Sequence, residues 1–301
     1  MNGEKRELLL VGSNGMLARK IFSRGQENWA ITGVDLPDFD LTNEDQVSST
    51  VKRLSPDVIV NCAAYTNVDG CESREDQARL VNGTAVGYLA DAAQETGATL
   101  VHVSTDYVFP GTGNTPLVEE DNVAPQSAYG RSKLLGEQAV VASGLKKYFI
   151  IRTSWLYGPG GNNFVETIIR LAKEREQLGI VADQFGSPTY TADLADAIFN
   201  LLSPAHCHPS SVSASYGLYH FSNDGVCSWY DFAVKIVELV RLQDVLNVKQ
   251  IDPIKTEDYP LPAPRPAYSV LSKQKYCQAT GAHVPAWQES LGKYLKDRAK
   301  C

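Results

Sequence analysis

Five short runs of consecutive apolar residues punctuate the first half of the chain: Glu7 to Val11, Ala30 to Asp35, Asp57 to Asn61, Thr99 to Ser104 and Tyr148 to Thr153. Their apolar positions are contiguous instead of alternating, the pattern of strands covered on both faces. Between the third and fourth runs, Ala78, Val81, Ala85, Leu89 and Ala92 or Ala93 recur at steps of three and four, which predicts one helix with a single apolar stripe. Buried strands alternating with helices predict an α/β fold with a doubly wound, Rossmann-type parallel sheet.

The pattern changes after Arg152. It predicts a helix from Asn163 to Gln177, a strand at Gly179 to Ala182, a turn at Phe185-Gly186-Ser187-Pro188 and a helix from Thr191 to Leu202. Ser203 to Ser215, rich in Ser, Pro and His, reads as a surface loop. Ser228 with Asp231 three residues on marks a capped start for the amphipathic stretch Trp229 to Leu242. Prolines at 253, 260, 262, 264 and 266 predict an extended connector from Asp252 to Pro266, without regular structure. The expected division is a dinucleotide-binding domain at 1–152, with 187–222 returning to it. A smaller, mixed α/β substrate domain is expected from 153–186 and 223–301.

The formal charge of −7, from 28 Lys+Arg against 35 Asp+Glu, disfavours a phosphate-backbone grip on nucleic acid. Leu8 to Val11 is too short an apolar run for a membrane span or a signal-peptide core, so no membrane partner is expected. The cysteines, at 62, 71, 207, 227, 277 and 301, are scattered without a Cys-x-x-Cys pair and read as reduced thiols in the cytoplasm. His206-Cys207-His208 is the one tight metal-type cluster, but it lacks a second ligand pair and reads as solvated loop, so no metal is expected.

Directly after the first strand stands Gly12-Ser13-Asn14-Gly15-Met16-Leu17-Ala18, a G-x-x-G-x-x-A loop opening a helix. Such a turn aims backbone N–H groups and the positive helix end at a pyrophosphate. Asp35 closes the next strand twenty residues after Gly15, where a carboxylate accepts from an adenosine ribose. A carboxylate there argues for NADH over NADPH, with use of both left open.

The most informative chemistry is Tyr129-Gly130-Arg131-Ser132-Lys133, which puts a phenol and an ammonium one helical turn apart on one face. At about 4 Å and an effective dielectric of about 20 their Coulomb interaction is roughly 4 kcal/mol, an upper-end figure that would lower the phenol's pKa by about three units. Ser104 and Thr105 end the fourth strand, and ligands sit beyond strand ends in doubly wound sheets. A strand-end hydroxyl with Tyr and Lys, downstream of a dinucleotide loop, is equipment for hydride transfer to a ketone.

With Asn61-Cys62-Ala63-Ala64-Tyr65 and Ser104-Thr105-Asp106-Tyr107-Val108-Phe109 added, this set resembles the extended short-chain dehydrogenases/reductases. Five further segments resemble the dTDP-4-dehydrorhamnose reductase family: Ala64 to Asp69, Arg152 to Tyr157, Asn163 to Val165, Asp183 to Thr189 and Arg265 to Ser269. The matches run from about residue 8 to 295. The resemblance implies reduction of the C4 ketone of dTDP-4-dehydro-6-deoxy-L-mannose by NADPH or NADH. It implies Tyr129 as proton donor, Lys133 on the nicotinamide ribose and lowering the phenol's pKa, and Thr105 polarising the carbonyl. Gly12, Gly15, Met16, Leu17, Asp35, Asp40, Leu41, Ala63, Ala64 and Tyr65 would line the cofactor. Thr105, Asp106 and Trp155 would touch the sugar nucleotide, with Trp155 otherwise a core residue. Arg265 would meet the diphosphate or stand as a rim arginine.

Two departures stand out. Ala18 occupies the third glycine position, which still allows close packing. Arg19 and Lys20 stand where some members carry an acid for a magnesium-bridged dimer, so a monomer is the better expectation. Related dehydratases carry a glutamate after the Thr-Asp pair where this chain has Tyr107, which disfavours dehydration. A nucleotide-sugar 4-epimerase is the enzymatic alternative, and a non-catalytic regulatory subunit of this fold the other.

Overall fold

The computed structural model describes residues 5–203 and 215–298. His206, Cys207, His208 and Cys301 lie outside them, as does most of the Ser203–Ser215 stretch. The main sheet has six strands in the order β10-β5-β4-β3-β1-β2, every pair parallel. The strands are β1 Arg6–Val11, β2 Trp29–Val34, β3 Val58–Asn61, β4 Thr99–Thr105, β5 Tyr148–Thr153 and β10 Gly217–His220. The chain order reverses between β1 and β3, which makes their carboxyl ends the ligand-binding crevice of the sheet.

Alternate residues of the central strands feed two cores. Leu8, Leu10, Val58 and Val60 face helix α1 (Met16–Gly25) and helix α8 (Thr191–Leu201). Leu9, Val11, Ile59 and Leu100 face α2 (Glu44–Leu54), α5 (Ala85–Thr96) and α6 (Ala128–Ala142). This two-sided burial explains why the strand residues are contiguously apolar. Tyr276, in α10 (Gln274–Thr280), and Val284 join the α1/α8 side.

A further core is built from α7 (Phe164–Glu174), α9 (Trp229–Arg241) and α11 (Trp287–Arg298), with Tyr157 and Tyr190 between them. Asn163 caps α7 by accepting from Glu166 N. Ser228 and Asp231 close a reciprocal capping box on α9. No helix among the described residues is long and apolar enough to cross a membrane.

Three expectations are corrected. The single helix over Ala78 to Ala93 is interrupted: after α4 (Glu75–Arg79), Leu80–Thr84 forms a π-helical turn before α5. The inserted residue rotates the stripe, so Asn82 and Gly83 are buried where Val81 is only half-buried. Asn82 accepts from Tyr65 N at 2.8 Å and donates to Tyr65 O and Ser132 Oγ, both at 3.0 Å. A polar residue thus pins the loop after β3 to α6. The connector is also not wholly irregular: Gln250–Ile254 forms a strand, β12, in parallel with β7 (Gln177–Val181). Pro253 is tolerated because β12 belongs to a two-stranded ribbon, where its missing donor leaves no ladder partner on a second side. Finally, Phe185–Gly186 is not a free turn but pairs antiparallel with Cys227–Ser228.

Helix α6 lies close to that π turn. A Cβ at Gly136 would stand 2.2 Å from Asn82 O, a backbone atom that cannot swing away. Gly136→Ala is expected to destabilise the protein by about 1–3 kcal/mol, as overpacking of a filled interior does. The urea-denaturation midpoint reads this, and an unchanged midpoint would show that the two helices are free to separate.

Candidate active site

The loop after β1 turns back at Gly12, whose φ is +78°. A side chain there would lie 2.6 Å from Ala63 N in the loop after β3, so only glycine fits both the conformation and the space. Gly12 N donates to Val34 O and Gly15 N to Gly12 O, which closes the turn. Gly15 stands as the N-cap of α1, with no side-chain cap and no acid in the first turn. The helix start therefore keeps bare N–H donors, a cradle suited to a pyrophosphate.

A cavity of about 250 Å³ opens beside this turn, bounded by Gly12, Gly15, Asp35, Asp40, Leu41, Ala63 and Ala64. Asp35 accepts from Asn14 N and Leu36 N, each at 2.8 Å, so both carboxylate oxygens meet backbone donors. Asp40 accepts from the hydroxyl and the backbone of Thr42, which hold its pKa below the usual carboxylate value. Tyr65 lines no part of this cavity. It packs instead beside Tyr129, Cys71 and Ala128.

A second cavity of about 480 Å³ shares Gly15, Cys62 and Ala64 with the first. Met16, Leu17, Thr105, Asp106, Tyr129, Lys133 and Trp155 all line it. Thr105, the last residue of β4, donates to Asp106 Oδ1 at 3.0 Å and accepts from Tyr107 N at 3.2 Å. Tyr129 stands in the first turn of α6, whose start is capped by Ser127 accepting from Gly130 N. Its ring meets Tyr107 edge to face, centroids 5.6 Å apart.

Burial is the main force on these groups, and it pushes each toward its neutral form. The phenol of Tyr129 is raised well above its usual pKa by burial and by the Asp106 carboxylate, with the Thr105 hydroxyl opposing. Lys133 is pushed down to about 8 by burial. It is not among the groups that shift the phenol, which corrects the expected Lys133-driven lowering. The reason is geometric: Lys133 Nζ turns to Val103 O at 2.7 Å and to His102 at 3.3 Å. Asp106 is raised to about 6 by burial, partly offset by the hydroxyls of Ser269 and Thr105 nearby. Among the described residues its buried Oδ2 has no hydrogen bond of good geometry, the Ser269 hydroxyl standing near without closing one.

Trp155 adopts φ +48°, a left-handed backbone that costs a non-glycine residue about 1–3 kcal/mol. Its indole stacks on Trp229 at 3.5 Å. Arg265 lies apart from the second cavity, held by Asp69 at 3.0 Å. It lines a neighbouring cavity of about 510 Å³ with Tyr107, Trp229 and Arg175, and Tyr107 is common to both. Sequence reasoning passed over Asn82 and His102 and gave Asn61 no role of its own. The available signal was a polar residue inside an otherwise apolar strand or stripe.

The family model for the RmlD substrate binding domain matches residues 6–300. The chain belongs to that family. It is 41% identical to a dTDP-4-dehydrorhamnose reductase of Burkholderia thailandensis, covering 97% of this chain and 98% of that protein. It is equally similar, at 41% and the same coverage, to the spore coat polysaccharide biosynthesis protein SpsK of Bacillus subtilis. Among solved structures, dTDP-4-dehydrorhamnose reductase from Bacillus anthracis, in complex with NADP, superposes with a TM-score of 0.89 at 40% identity. The match covers 98% of this chain and 100% of that one.

The raised carboxyl of Asp106 has a consequence for stability. Its folded pKa of about 6 exceeds the usual 3.8, so the stabilising contribution of its protonated form is full below pH 3.8 and lost as pH rises through 6. Asp106→Asn mimics that neutral form. The variant is expected to match the native protein near pH 4 and to exceed it at pH 8, by at most about 3 kcal/mol. Denaturation midpoints at the two pH values test this, and a constant offset between the proteins would place the carboxyl in a wetter setting.

Proposed function

We propose that this chain is a dTDP-4-dehydrorhamnose reductase, which reduces the C4 ketone of dTDP-4-dehydro-6-deoxy-L-mannose to dTDP-L-rhamnose with NADPH or NADH. The observation that carries this reading is the single cavity holding Thr105, Tyr129 and Lys133, which shares Gly15, Cys62 and Ala64 with the glycine-cradled cleft at Gly12 and Gly15. NAD(P)H, when bound, supplies the hydride.

The protein's residues supply the rest. The Gly12–Gly15 turn and the bare start of α1 hold the pyrophosphate. Asp35, Asp40 and Leu41 bound the adenosine side, and Ala63, Ala64 and Tyr65 form the facing loop. With both carboxylate oxygens already accepting backbone N–H bonds, Asp35 repels a ribose phosphate less than a bare carboxylate does, which supports use of both nicotinamides. Thr105 turns its single O–H from Asp106 Oδ1 to the ketone oxygen, and Tyr129, protonated at neutral pH, delivers the proton to that oxygen. Lys133 stands on the nicotinamide ribose. Asp106, with an oxygen still to satisfy, accepts from a sugar hydroxyl, and Trp155 packs against the sugar. Arg265 meets the diphosphate by exchanging Asp69 for it.

The separate core around α7, α9 and α11 supports the division into a dinucleotide domain and a smaller substrate domain, except that Tyr276 and Val284, from 223–301, pack with the main sheet instead. Lys20 faces Asp297 at 3.8 Å and Arg19 donates to Asn14 O, which favours a monomer over a metal-bridged dimer. The free thiols at Cys62, Cys71, Cys227 and Cys277 suit action in a reducing cytoplasm.

Incubation of the purified protein with the 4-keto sugar nucleotide and NADPH or NADH is expected to consume the reduced-cofactor absorbance; no consumption with either refutes the reading. Tyr129→Phe is expected to keep cofactor affinity while turnover falls about 100-fold or more. Turnover at the native rate in that variant would put the proton on another group.

A further inference from the structure

Behind Lys133 lies a buried chain of polar groups that the reaction outlined above does not use. His102 sits inside β4 and is fully buried, and Asn61 at the end of β3 is 1% exposed. The imidazole Nε2 is 3.3 Å from Lys133 Nζ, and Nδ1 is 3.2 Å from Asn61 Nδ2.

Donor and acceptor accounting fixes the hydrogens. Asn61 Oδ1 accepts from Ala63 N at 3.0 Å, a backbone donor that cannot reverse its role. The amide nitrogen of Asn61 must then face His102, so Nδ1 is the accepting nitrogen of the ring. Burial holds His102 neutral, well below its usual pKa. A neutral ring carries one N–H, which therefore sits on Nε2 and points at Lys133. An ammonium has only donors and opposes that N–H; an amine has a lone pair to accept it. Lys133 as an amine is thus fully matched: it donates to Val103 O, accepts from His102, and keeps one N–H for the cavity.

We propose that Asn61 and His102 are positioning residues for Lys133: the Asn61 amide locks the imidazole tautomer, and the ring N–H so placed favours the amine form of the lysine. The other titratable groups facing Lys133 are Cys62 after β3 and Glu137 one turn further along α6. Both favour the ammonium, and Glu137 is itself paired with Arg152 at 2.7 Å. His102 is therefore the neighbour that opposes them. In function, the pair sets the pH at which Lys133 releases a proton toward the cavity.

The proposal rests on the reductase reading for its functional meaning, so its test has one arm that needs no turnover. In protein labelled with ¹⁵N-histidine, the ring correlation spectrum of His102, assigned by its proximity to Lys133, is expected to show Nε2 protonated and Nδ1 bare. The opposite tautomer overturns the proposal even if the ketone is reduced, whereas absence of ketone reduction with the expected spectrum overturns only the reductase reading. In the kinetic arm, Asn61→Leu frees the ring to reverse and accept from an ammonium. The lysine limb of the kcat/KM pH profile is expected to rise by about one unit, the scale of one hydrogen bond. Asn61→Leu is expected to add no further shift in a His102→Leu background. A limb that stays in place in the single variant, or moves equally in both backgrounds, would leave the pair a merely structural role.

Discussion

The contact on which the site depends is the approach of two backbones at the reversal of strand order, Gly12 against Ala63. A Cβ at position 12 would fall 2.6 Å from Ala63 N and 2.8 Å from Ala63 Cα. Because β1 and β3 are hydrogen-bonded neighbours in register, the loops leaving them have nowhere to diverge. Removing the side chain at position 12 lets the chain turn at once into α1, and the donors of its first turn then face the crevice between the loops. The glycine turn and the start of α1 take their position along that crevice from this junction.

Helix α6 carries Tyr129 and Lys133 and is held from several sides. Ser127 caps it, Glu72 accepts from Ala128 N at 2.8 Å, and Ser132 accepts from Asn82 at 3.0 Å. Further along, Glu137 takes Ser104 Oγ at 2.6 Å and the guanidinium of Arg152, a buried pair that ties α6 to the ends of β4 and β5. Such a pair adds little net stability because desolvating two charges offsets their attraction. Its geometric effect is larger: Thr105 on β4 and Tyr129 on α6 cannot drift apart while the bridge stands.

Much of this was legible in the residues because local chemistry and global fold agree there. Contiguous apolar strands, the glycine turn and the Tyr129/Lys133 spacing each require only neighbours in sequence, and the strand at Tyr148–Thr153 begins and ends where the pattern puts it. What escaped depends on partners far along the chain. The π turn at Leu80–Thr84 exists because Asn82 finds Tyr65 and Ser132, 17 and 50 residues away. Pro253 enters a strand because β7 offers an edge. The absence of the expected effect of Lys133 on Tyr129 has the same origin: spacing put the two on one face, but the lysine nitrogen turns to Val103 and His102 on β4.

Asp106 and Lys133 both oppose folding through the desolvation of ionisable groups, and both are shifted toward neutrality for that reason. Trp155 adds a strained backbone at the same cavity. A cavity lined by three such unfavourable placements is not what packing alone selects, since apolar residues of similar volume would leave a more stable crevice. The surrounding cores offset the cost, with Val58, Ile59 and Val60 of β3 fully buried between them. The polar groups persist where the chain can least easily hydrate them, and a proton transfer made there would have little solvent to rearrange.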